Sequence, residues 1–173
     1  MIPKDIFSRS LNMKGSISLN ELPSYLEVGV GYPITGQSGA SLIFYCTEKE
    51  LEIVDVDNST YILSGVVDGS NNIEWTIATR NRLGKHHPDM YAAEFYDGAY
   101  KYFVSMCGCI HGMISWWIDG TNYEQYMSNI KVGVKPEEAA IRTWSGKQAS
   151  MYGFNKSIRM PSNEGIIYHF IRS

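Results

Sequence analysis

The chain has 173 residues, 44% of them hydrophobic and 19% charged, and its 15 Lys and Arg against 18 Asp and Glu give a formal charge of −3. A chain of this length buries roughly 70% of its unfolded surface around one core, so a single domain covering residues 1–173 is expected. The negative balance offers no source of counterion-release attraction to a phosphate backbone, which argues against nucleic acid as a partner. No stretch reaches the ~18 apolar residues of a membrane span, and the first residues hold no apolar leader run, so no membrane association and a cytoplasmic location are expected. Cys46, Cys107 and Cys109 are too few and odd in number for a disulfide framework, which fits a reducing compartment.

In chain order, the glycine-rich stretch 29–39 reads as a long loop. Apolar runs of strand length follow at 41–46 and 51–56, divided by a charged turn at 47–50. Residues 60–67 and 73–79 flank the turn-rich segment Asp68-Gly69-Ser70-Asn71-Asn72 and read as a hairpin. In the second of these strands Ile73, Trp75 and Ile77 alternate with Glu74, Thr76 and Ala78, the pattern of a half-buried strand.

Asp97-Gly98 stands between two aromatic-rich runs, and Asp-Gly supplies the positive backbone angles of a two-residue type I′ turn. That turn would pair Tyr96 with Ala99, Phe95 with Tyr100 and Glu94 with Lys101. Opposite charges would face each other while Phe95, Tyr100, Tyr102, Tyr91 and Val104 gather on the other face. A hairpin over 91–106 is therefore expected.

Residues 113–118 read as a strand ending at Asp119-Gly120. Beyond it Thr121 and Glu124 have capping-box spacing, and Tyr123, Tyr126, Met127 and Ile130 recur at helical spacing. A second helix is expected from Pro136, with Glu137 and Glu138 favourable for its dipole and Gly146 as its stop. The run 165–171 is apolar on both faces and belongs inside a sheet rather than at a free edge. The whole reads as α+β and sheet-rich, an antiparallel sheet or β-sandwich with two or three short helices, mostly in the C-terminal half.

Cys107, Cys109 and His111 would share one face of an extended strand, a pattern that raises either a metal site or an activated thiol. On a straight strand the outer two are ~13 Å apart, too far for one zinc ion with bonds of ~2.0 to 2.3 Å, so no metal and no cofactor are expected. A thiol nucleophile at Cys107 or Cys109 needs a base, and the candidates are His86, His87, His111 and His169, of which His111 and His87 are preferred. The carboxylates at Asp55 and Asp57 lack the glycine and distal glutamate of a calcium loop, and no P-loop or nucleophile elbow is present.

Twelve Tyr and four Trp exceed what one core readily takes up, and such residues are favoured where a surface meets another protein. The sequence therefore points to a protein-binding inhibitor module, such as a bacterial immunity protein that neutralises a cognate toxin with a basic surface. Tyr96 and Trp117 are the expected anchors, with Glu94, Asp97 and Asp119 steering. The alternatives are a small hydrolase or transferase that uses Cys107 or Cys109 with His111 or His87, and a β-domain that binds a carbohydrate or another small ligand.

Overall fold

The computed structural model describes residues 30–34, 42–46, 50–55, 60–77 and 92–173. Among them eight strands and four helices make a sheet-rich α+β fold, with three of the helices after residue 119. The chain divides into two compact units, one of residues 1–67 and 76–109 and the other of 68–75 and 110–173.

The first unit holds β1 (Gly31–Ile34), β2 (Leu42–Cys46), β3 (Glu50–Asp55), β4 (Thr60–Val67) and the helix α1 (Ala92–Cys107). Its strands form an antiparallel meander in the order β1-β2-β3-β4. The runs expected at 41–46, 51–56 and 60–67 contain β2, all of β3 but its first residue, and β4. The stretch 29–39 differs from its reading as loop throughout, because Gly31 pairs with Tyr45 and Ile34 with Leu42. Phe44 and Leu51 are fully buried, and the ring of Tyr102 meets Phe44 edge-on at 5.7 Å, which docks α1 on β2.

The hairpin expected over 91–106 is instead α1. Tyr96, Ala99, Tyr102 and Phe103 are all 3% exposed or less, and they recur at three- and four-residue steps, the period of a helix with one buried stripe. Asp97 pairs with Lys101 one turn along, which replaces the expected facing of Glu94 and Lys101. The segment also holds a single β-branched residue, Val104, so local propensity does not oppose a helix.

The second unit contains most of β5 (Asn72–Ile77), then β6 (Gly112–Trp117), α2 (Gly120–Lys131), α3 (Pro136–Ile141), α4 (Trp144–Met151), β7 (Lys156–Met160) and β8 (Ile166–Ile171). Its strand order is β5-β6-β8-β7. Before β5 the chain reverses through Asp68–Asn71. There the Asn71 amide donates to the Asp68 carbonyl at 3.1 Å, and Asn71 adopts φ 57°, a conformation asparagine tolerates. Ile73 and Trp75 are buried while Glu74 and Thr76 are exposed, as the alternation requires. β8 lies between β6 and β7, inside the sheet as its apolar faces demand.

Trp117 and Tyr168 turn toward α2, where the hydroxyls of Tyr126 and Tyr168 lie 3.1 Å apart and the Trp117 ring is 5.9 Å from Tyr126. On the same face Ser157 of β7 donates its hydroxyl to the carbonyl of Glu137 in α3. Burying a large side chain such as Trp117 or Phe170 contributes roughly 1.5 to 3 kcal/mol, so this helix-covered face is the unit's core. The expected α2 is present but begins at Gly120 with Asp119 as N-cap, so Thr121 lies inside the helix and forms no capping box. Pro136 occupies the first turn of α3 as expected. Gly146 does not stop that helix. α3 ends at Ile141, and the Gly146 amide donates to Thr143 Oγ1 at 3.0 Å within the first turn of α4.

Candidate functional site

The residues nominated by sequence fall in places that change their meaning. Tyr96 is 1% exposed and Trp117 4%, so both are core and neither serves as a surface anchor. Of the expected steering charges, Asp97 is paired with Lys101 at 2.6 Å, and Asp119 is exposed at the start of α2 with no side-chain cap bond. Glu94 lies in α1, and its side chain, like the whole of His87, is outside the described residues.

Cys107 is the last residue of α1, Gly108 turns the chain with φ 78°, and Cys109 is exposed. The straight strand on which the spacing from Cys107 to His111 was argued does not exist. Burial pushes the Cys107 thiol up, with Cys109 adding to the shift, and a helix C-terminus disfavours a thiolate. Both effects oppose nucleophilic activation. His111 Nδ1 lies 2.9 Å from the Ser70 carbonyl. Among the described residues no group of three His, Cys, Asp or Glu side chains is arranged to hold a metal ion.

The structure instead gathers Asp68, Asn72, Gly112 and His169 in the second unit. The Asp68 carboxylate accepts the amides of Ser70 at 2.8 Å and Asn72 at 2.9 Å, and its Oδ2 accepts Asn72 Nδ2 at 3.2 Å. Asn72 Oδ1 lies 2.9 Å from His169 Nε2. Burial raises the Asp68 carboxyl, but the hydrogen bonds from Asn72 and Ser70 outweigh it and hold the group below its usual range. Burial also lowers the His169 imidazole, with the Asp68 charge acting the other way. A side chain at 112 would close the site: its Cβ would stand 2.4 Å from His169 Nε2 and 2.8 Å from Asn72 Oδ1. Sequence reading had counted His169 only as one spare base among four histidines, because 97 residues separate it from Asn72 and nothing local signals their meeting.

Opposite the helix-covered side, the second unit shows another sheet face. Register places His169 beside Ile114 of β6 and Ile158 of β7. Trp116 and Ile158 on this face are 48% and 44% exposed, and Ile118 just beyond β6 is 48% exposed. In the first unit, burial together with Glu50 pushes the Glu52 carboxyl up to about 7, and its Oε2 is buried without a hydrogen-bond partner.

One topological feature escaped the sequence reading. β5 and β6 are parallel, the sole parallel pairing among the described residues, so the chain must cross over between them. In chain order α1 falls between the two strands. The 78–91 connection carries Arg80, Arg82, Lys85, His86 and His87 against one acidic residue, Asp89. The acidic balance of the whole chain hides this local basic cluster. Protein-family models, curated proteins and solved structures give no match to this chain, so family and activity rest on residues and geometry alone.

Proposed function

We propose that the protein binds a small anionic ligand of the phosphate-bearing class through Arg80, Arg82 and Lys85. The supporting observation is the cluster of Arg80, Arg82 and Lys85 within six residues of a chain whose formal charge is −3, because such a cluster is a local source of attraction for a phosphate group. This reading is the small-ligand alternative with its ligand class named. Thermal unfolding in the presence of inorganic pyrophosphate or ADP tests it. A ligand at 100 times its Kd stabilises the folded state by about 2.7 kcal/mol, and the combined Arg80→Ala and Arg82→Ala variant should lose that gain. Absence of a saturable rise, or an equal rise in the variant, would refute the reading.

A second reading is a protein-binding inhibitor module that acts on a partner with a basic surface, as an immunity protein does. Its support is the formal charge of −3 and the half-exposed Trp116, Ile118 and Ile158, which replace Tyr96 and Trp117 as candidate anchors. Affinity capture should then return one stoichiometric partner that Trp116→Ala releases faster. A cysteine-dependent hydrolase or transferase has less support, given the raised Cys107 thiol.

A further inference from the structure

We propose that His169 is a proton-accepting site, open at Nδ1 to a hydroxyl or ammonium group of a small polar ligand, with Asn72 and Asp68 as its positioning residues. The protons can be followed one group at a time. An ionised carboxylate only accepts, so the Asn72 group 3.2 Å from Asp68 Oδ2 is the donating Nδ2. Asn72 Oδ1 therefore faces His169, and the ring nitrogen 2.9 Å away, Nε2, carries the hydrogen. A neutral imidazole holds one hydrogen, which leaves the lone pair on Nδ1. That atom has no hydrogen-bond partner among the described residues.

The arrangement is held firmly. Asn72 is 8% exposed and is bound through both its backbone amide and its side chain to Asp68. Gly112 is the one residue type that leaves room for the contact between Asn72 and His169. Beside the ring on the same sheet face stand Ile114 and Ile158, with Gly112 and Trp116 further along β6, Lys156 and Met160 along β7, and Ile167 and Ile171 along β8. The charged groups nearby are Asp68 behind Asn72, Glu74 across Ile114 in β5, and Lys156. Apolar flanks with one directed acceptor suit a small molecule that presents a donor, because a donor satisfies the lone pair while a carboxylate meets it with another acceptor.

This site lies wholly in the second unit and is independent of the anionic-ligand reading. The test uses nitrogen-detected NMR of the imidazole in the intact protein, with ethanolamine and ethylene glycol as probes. The expected spectrum is the Nε2-protonated tautomer, titrating below an ordinary histidine. Saturable shifts at His169, Ile114 and Ile158 are expected with ethanolamine, and they should vanish when acid protonates Nδ1. A response to ethylene glycol as well assigns hydroxyl recognition, and a response to ethanolamine alone assigns ammonium. Asn72→Leu should weaken the response roughly tenfold, the cost of one well-placed hydrogen bond, and return the ring to a tautomer mixture. The Nδ1-protonated tautomer in the native protein overturns the proposal. So does the correct tautomer without saturable response to either probe, which leaves Asp68, Asn72 and His169 a structural clasp. Both decisive results are read on the unmodified protein, so a variant that fails to fold does not obscure them.

Discussion

Asp97 and Lys101 stand one helical turn apart in α1 with carboxylate and ammonium 2.6 Å from each other, where a hairpin would have put Lys101 opposite Glu94. The pair is partly exposed, the side chains retaining 35% and 61% of their accessible surface, so solvent and salt screen it. Asp97→Ala should cost only about 0.3 to 0.5 kcal/mol, and the loss should disappear in high salt. Urea unfolding at two ionic strengths checks this. A much larger, salt-independent loss would show that Asp97 holds a turn rather than a helix face.

The same segment shows why part of the fold was legible and part was not. Residues 60–67 and 73–77 were readable because apolar and polar side chains alternate there with period two, and only the buried set, Ile73 and Trp75, could face inward. In α1 the aromatics are dense enough to satisfy period two and the helical period at once, and Asp97-Gly98 then tipped the reading toward a turn. Burial of Tyr96, Ala99, Tyr102 and Phe103 settles the period. β1 and β7 were missed for another reason. They are strands of four and five residues, too short for a pattern, and each is fixed by pairing with the strand that follows it, β2 and β8. The site was the least legible part, since the contact between Asn72 and His169 joins segments 97 residues apart that share no local motif.

The paired hydroxyls of Tyr126 and Tyr168 are buried, at 5% and 0% exposure. Burial, with the Tyr126 hydrogen bond adding, drives the Tyr168 phenol well above its usual range, so the Tyr168 ring is neutral at any working pH. Replacing either one by Phe leaves the other hydroxyl with one partner fewer in a dry site, which costs about 1 to 3 kcal/mol. Replacing both should cost less than the two single changes together, as expected for directly coupled groups. Additive losses in a double-mutant cycle would show that the hydroxyls do not interact.

Two groups tilt stability in opposite directions with pH. His169 is lowered from 6.5, so its contribution is complete above that pH and is lost as pH falls below it. Glu52 is raised from 4.5 to about 7, so the folded state holds a proton that the unfolded chain gives up, and stability drains away as pH rises from 4.5 through about 7. Glu52→Gln removes the second effect. The variant should gain on the wild type steadily between about pH 5 and about pH 8 in denaturant midpoints. A constant offset across that range would mean that Glu52 does not titrate there.

Gly146 sets two well-known tendencies against each other. It lies inside α4, where alanine is favoured over glycine by up to about 1 kcal/mol through backbone entropy alone. A Cβ at 146, however, would meet the Ala140 carbonyl oxygen at 2.3 Å and the Ile141 Cα and carbonyl oxygen at 2.7 Å. These are backbone atoms of α3 and its C-terminal end, so relief requires the two helices to part rather than a side chain to swing away. Parting them disturbs Ala139, Ala140 and Ala149, all 1% exposed or less, and overpacking of this kind costs roughly 1 to 3 kcal/mol. The steric term exceeds the propensity gain. Gly146→Ala should thus lower stability by a net 1 kcal/mol or so, measured by thermal or urea unfolding. A Gly146→Ala protein more stable than wild type would mean that α3 and α4 do not pack at this distance.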